Sequence, residues 1–72
     1  MSIKDAIKLL ESSINEKVIK YSVLDNKSFL LLIETDMVHF KNNLFIVSED
    51  GKIEVTIPEL INGFEKLKFI NL

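Results

Sequence analysis

Phe29-Leu30-Leu31-Leu32-Ile33 decides how this chain can fold. Five large apolar residues in a row leave no polar face if the segment is a strand. Such a strand has to be covered on both sides. Leu44-Phe45-Ile46-Val47 repeats the pattern fifteen residues later. Around these two runs the sequence alternates instead. In Lys17–Leu24, Ile19, Tyr21 and Val23 oppose Lys20 and Ser22; in Met37–Lys41, Val38 and Phe40 oppose Met37, His39 and Lys41. In Lys52–Ile57, Ile53, Val55 and Ile57 oppose Lys52, Glu54 and Thr56. Five strands are therefore expected: 17–24, 28–34, 37–41, 44–48 and 52–57. The links are turn-like: Asp25-Asn26-Lys27, Thr35-Asp36, Asn42-Asn43 as a two-residue hairpin, and Asp50-Gly51, the strongest hairpin signal of the chain.

Helices are expected at both ends. Ser2-Ile3-Lys4-Asp5 reads as a capping box with Asp at the third helical position. Ile3, Ala6, Ile7, Leu10 and Ile14 then form one helical stripe, with Asn15 near the C-cap. Pro58 and Glu59 suit the first turn of a second helix with Leu60, Ile61, Phe64 and Leu67 as its stripe, although Gly63 weakens it by up to ~1 kcal/mol. Lys68–Leu72 is an apolar tail that can add an edge strand or dock elsewhere. The fold class is α+β: an N-terminal helix, a five-stranded antiparallel meander and a C-terminal helix in one domain, residues 1–72.

Composition sets limits. A chain of 72 residues hides only about 60% of the surface it exposes when unfolded, so it gains from a partner. It has no Cys, which removes disulfides and thiolate metal sites and fits a reducing compartment. The opening residues lack the basic-then-apolar order of a signal peptide, and no run approaches the ~20 apolar residues of a membrane span. The expected location is cytoplasmic. All nine basic residues are Lys; without Arg the chain lacks the fork that grips phosphates and guanine edges, which argues against nucleic acid.

Two helices cover one face of a sheet. The natural inner set is Ile19, Tyr21, Val23, Phe29, Leu31, Ile33, Val38, Phe40, Ile53, Val55 and Ile57. Leu30 and Leu32, with one apolar pair from 44–47 (Phe45 and Val47), are then left on the other face as an interface. Each large side chain left in water forfeits roughly 1.5–3 kcal/mol, so a homo-oligomer, dimer or tetramer, is expected. A sheet curled into a small barrel is the monomeric alternative.

The sequence offers little for catalysis. His39 stands alone, without a neighbour to orient it. Glu49-Asp50 belongs to a turn, and no calcium-loop spacing is present. The serines lack a Gly-x-Ser-x-Gly elbow, and Gly51 and Gly63 form no phosphate loop or dinucleotide fingerprint. No enzyme activity, cofactor or metal is expected. Lys20, Lys41 and Lys52 could meet a ligand phosphate, though a solvated face explains them too.

Asp50-Gly51-Lys52-Ile53-Glu54-Val55-Thr56-Ile57-Pro58-Glu59-Leu60-Ile61 resembles the last strand-to-helix junction of the Thoeris anti-defence 2 family, and Ile3–Leu10 resembles its first helix. Phe64 and Phe69 lie where that family places an aromatic ending. The Gly-Lys, Arg and Trp that the family shows after its first helix are replaced here by Ser13–Tyr21. The resemblance implies a small phage protein that oligomerises and sequesters a cyclic ADP-ribose-type signal. It places a ligand site at Lys20 and Tyr21, shared between subunits, with His39 or Lys41 from a neighbouring subunit. The α-β5 order is also similar to Sm-like RNA-binding rings, whose Gly and Asn signatures are missing. The competing expectation is an inhibitor or immunity protein that blocks a host or toxin protein with its apolar sheet face.

Overall fold

In the computed structural model residues 1–34 and 43–72 are described. Helix α1 (Ile3–Ile14) is followed by β1 (Val18–Val23), β2 (Phe29–Ile33), β3 (Leu44–Val47) and β4 (Ile53–Thr56). Two 3-10 turns (Pro58–Leu60 and Phe64–Lys66) then lead to β5 (Ile70–Asn71). The strands form one open antiparallel sheet in the order β4-β3-β2-β1-β5, with β4 and β5 as its edges. It is not a closed barrel.

Helix α1 has the bounds its sequence predicts. Ser2 Oγ accepts the Asp5 N–H at 3.2 Å, and Asn15, left-handed at φ 56°, donates its N–H to the Glu11 carbonyl at 2.9 Å. Ala6 and Leu10 are fully buried against Val18, Leu31, Ile33, Phe45 and Val47, with Ile3, Ile7, Leu9 and Ile14 packed around them. A 12-residue helix is marginal in water by itself, so this packing is what holds it.

β1 contains a bulge. Val18 pairs with Ile33 but Lys20 pairs with Leu32, so two steps of β1 match one step of β2. Below the bulge Val18, not Ile19, enters the core, which corrects the simple alternation expected there. The bulged start of β1 is tied to the helix: Glu11 Oε2 accepts the Val18 N–H at 2.8 Å.

Further corrections concern the sheet and its covers. β2 is hydrogen-bonded directly to β1 and β3, so no strand lies between β2 and β3; the expected strand 37–41 and the Asn42 half of its hairpin fall outside the described residues. The fifth described strand is the C-terminal tail, which pairs at the edge beside β1 as one of its two expected placements. The expected C-terminal helix is replaced by the two 3-10 turns, because Gly63 is left-handed at φ 69° and divides the segment. Since β4 and β5 are opposite edges, residues 57–69 must cross the sheet. They cross the face that α1 does not occupy, where Leu60, Ile61 and Leu67 lie beside Ile46. Phe64 and Phe69 meet edge to face within the crossover, ring centroids 5.9 Å apart.

Among the described residues α1 alone covers the first face, and that cover is narrow. Val23 and Val55, expected inside, are 55% and 56% exposed. Leu30 is fully buried by the chain itself and Leu32 half-buried, while Phe45 and Val47 point toward α1 and are buried in its core. The four residues expected to form an oligomer interface therefore pack within one chain.

The β1–β2 and β3–β4 hairpins share a geometry. In one, Leu24 N–H donates to Ser28 O (2.8 Å) and Lys27 N–H to Leu24 O (3.0 Å); in the other, Ser48 N–H donates to Lys52 O and Gly51 N–H to Ser48 O, both at 2.9 Å. Each loop closes on a left-handed residue, Lys27 (φ 67°) or Gly51 (φ 87°). A Cβ on Gly51 would also lie 3.4 Å from Met1 Cε. Ser48 Oγ donates to the Asp50 carboxylate, and that bond holds the Asp50 pKa below its ordinary value.

These local contacts fix the outcome of substitution at four sites. Lys27→Gly relieves a left-handed side chain and should stabilise by up to ~1 kcal/mol, whereas Gly51→Ala should destabilise by about 1–2 kcal/mol, both read as shifts of the urea midpoint. Glu11→Ala strands the buried Val18 N–H and should cost about 1–3 kcal/mol, with Glu11→Gln recovering most of it. Because the folded pKa of Asp50 is lowered, its contribution to stability is present above the unfolded value near 3.8 and is lost as the pH falls through the folded value. Asp50→Asn should therefore destabilise at neutral pH and lose that difference in strong acid, as measured by thermal unfolding at the two pH values.

Candidate functional site

The crossover does not lie flat on the sheet. Between it and the β1–β2 hairpin is an open groove of about 330 Å³, lined by Leu24, Asp25, Asn26, Ile46, Leu60, Ile61, Asn62 and Leu67. Each wall has a local cause. Leu24 to Asn26 belong to the first hairpin loop, whose shape is held by the left-handed Lys27 and by the Ser28 N–H donated to Asn26 Oδ1 at 3.1 Å. Ile46 rises from β3 on the face opposite α1, paired with Leu30 of β2. Pro58 opens the first 3-10 turn, which closes with Leu60 N–H on Ile57 O and Ile61 N–H on Pro58 O, each 3.1 Å. The Asn62-Gly63 step then reverses direction and brings Leu67 back to the groove.

The lining decides what the groove can hold. Leu24, Ile46, Ile61 and Leu67 are half-buried, and Leu60 stands 75% exposed at the mouth. Polar groups are confined to Asp25, Asn26 and Asn62, and the one formal charge in the lining is negative. The volume lies at the lower end of small-molecule pockets, roughly 300–1,000 Å³, and suits one or two apolar side chains. An anion would meet the Asp25 carboxylate and no cation in the lining.

Of the residues expected to bind a nucleotide, Lys20 and Tyr21 sit away from this groove. Lys20 is exposed on the crossover side of β1, opposite Asn71 of β5. Tyr21 is half-buried on the α1 side, between Leu31 and Ile70. The two project from opposite faces, as alternation requires, and neither lines a described hollow. His39 and Lys41 lie outside the described residues. A second, shallower hollow is lined by Glu11, Asn15, Glu16 and Lys17, where the Glu11 carboxylate is already engaged with Val18. Among the described residues no three His, Asp or Glu side chains gather as metal ligands, and no helix is long and apolar enough to cross a membrane.

The groove residues carried signals that point elsewhere when read locally. Asp25-Asn26 registers as a turn, and Leu60, Ile61 and Leu67 register as a helical stripe. Asn62-Gly63 is a turn dipeptide inside that stripe, and it is the signal that the segment is no helix. Comparisons with protein-family models, curated proteins and solved structures give no match.

Proposed function

We propose that the chain is a non-catalytic binding protein that takes an apolar side chain of a partner protein into the groove between its first hairpin and its C-terminal crossover. The observation that carries this is the lining: five aliphatic side chains, an exposed Leu60 at the mouth, and a rim whose only charge is Asp25. Exposed apolar surface of this kind is a common mark of protein contact. This is the inhibitor or immunity reading, moved from the sheet face to the crossover that covers it. The nucleotide-sequestering reading keeps the family resemblance as its support.

Native mass spectrometry of the protein drawn from its own host separates the two. A retained protein partner is expected, and Leu60→Asp should weaken its binding about 10- to 100-fold, the worth of one buried leucine. Thermal stability should not move, since Leu60 is already 75% exposed. A retained small anion that is insensitive to Leu60→Asp would overturn this reading in favour of nucleotide sequestration.

A further inference from the structure

Among the described residues β4 ends the sheet with its outer pairing edge free of a strand. Ser48 and Lys52 form a hydrogen-bonded pair at the hairpin, with Ser48 N–H donating to Lys52 O. Alternation then makes Ile46–Glu54 and Leu44–Thr56 the hydrogen-bonded pairs of the β3–β4 ladder. The N–H and C=O groups of Ile53 and Val55 consequently point away from β3. Ile57 is still extended (φ −132°, ψ 157°) and continues the same edge. Among the described residues no strand lies beyond β4.

Protein edges of this length are commonly protected by Lys, by Pro within the pairing stretch or by a bulge. Here the outward positions are Ile53, Val55 and Ile57; the β3–β4 register has no bulge, and Pro58 falls after the stretch. Val55 is 56% exposed although its neighbours in the row, Phe45 and Leu31, are buried.

We propose that β4 pairs antiparallel with β4 of a second copy about a two-fold axis through Val55. The stretch is self-complementary in that register. Val55 meets the second copy's Val55, Ile53 meets its Ile57, and Glu54 meets its Thr56. Opposite residues of an antiparallel pair share a face. The Ile–Ile and Val–Val pairs therefore form one apolar ladder on the α1 side, and the Glu–Thr pairs lie on the crossover side. The two glutamates are never directly opposed. Val55 donates to and accepts from its counterpart, and each Ile57 N–H reaches an Ile53 carbonyl, which gives at least four new backbone bonds. β5 is a weaker acceptor for this edge because it offers only Ile70 and Asn71. The contact uses neither the groove nor the four residues first expected at an interface.

The chain has no Cys, so a single introduced thiol reports the geometry. Wild-type protein in sedimentation velocity should pass from monomer to dimer between micromolar and near-millimolar concentration and go no further. Val55→Cys should form an intermolecular disulfide at least ~10-fold faster than Lys8→Cys on the exposed side of α1. Val55→Lys puts like charges opposite each other and should weaken the dimer by ~10-fold or more, with an unchanged melting temperature at dilute concentration where the chain is monomeric. A wild-type monomer throughout, growth beyond the dimer, a Val55→Cys rate equal to that of Lys8→Cys, or a dimer that survives Val55→Lys would each overturn the proposal.

Discussion

Leu30 and Leu31 are neighbours in β2, point to opposite faces and are both fully buried. A strand with that property needs two covers, and the rest of the structure is the means of providing them from 72 residues. Leaving Leu30, Leu32, Leu44 and Ile46 in water would forfeit roughly 1.5–3 kcal/mol each. That sum is comparable with the whole net stability of a typical domain, about 5–15 kcal/mol. One cover is α1. The other cannot be a second helix packed beside α1, because that would leave the opposite face bare. The chain solves this by taking residues 57–69 across the sheet, from one edge to the other, and fastening them there. The fastening is small but specific: Ile70 and Asn71 pair with Tyr21 and Lys20, and Leu72 N–H donates to Ile19 O at 2.9 Å.

The crossover explains the burial pattern that a two-helix picture does not. Ser22, Leu44 and Thr56 are buried on its side of the sheet, while Val23 and Val55 on the α1 side are not. A single helix shields the middle columns of a five-stranded sheet and leaves the outer ones wet. The bulge at Ile19 sharpens this asymmetry. By turning Val18 toward α1 it adds a core residue beneath the helix, and it depends on the Glu11 carboxylate to satisfy the amide it displaces. Helix, bulge and first strand are therefore one mechanical unit, although the residues that join them are seven apart in the chain.

Much of this was legible from local pattern. The Ser2 cap, the Asn15 terminus and the stripe of α1 are set by contacts within four residues, and they stand where periodicity puts them. The strands β1 to β4 and the Asp50-Gly51 turn are equally local. What local pattern misreads is decided by distant contacts or by a single backbone conformation. Leu60, Ile61, Phe64 and Leu67 have helical spacing, but Gly63 takes a left-handed φ and the segment is needed as a strap. Ile19 alternates correctly with Tyr21 and Val23 until one bulge reverses its phase. Whether Phe45 and Val47 or Leu44 and Ile46 face α1 follows from register with β2, which a run apolar on both faces does not encode. Of the candidate site, Lys20 and Tyr21 were read correctly as opposed in direction, and the groove was missed because its two walls are more than thirty residues apart in the chain.

The same constraint that builds the crossover also leaves the groove. A strap of two 3-10 turns has few side chains per unit length directed at the sheet, and its conformation is dictated by Pro58 and Gly63 rather than by packing alone. Leu60 ends the first of the two turns, and its side chain faces water. Replacing the strap by a regular helix would put a continuous apolar stripe onto Ile46 and close the space. The irregular segment is therefore the feature on which the proposed binding role rests. Its chemistry is aliphatic and faintly acidic, the opposite of what a phosphate-bearing ligand requires. Lys20 and Lys52, the described cations expected to meet such a ligand, are exposed and lie away from the groove, where a charge is screened and contributes little to affinity.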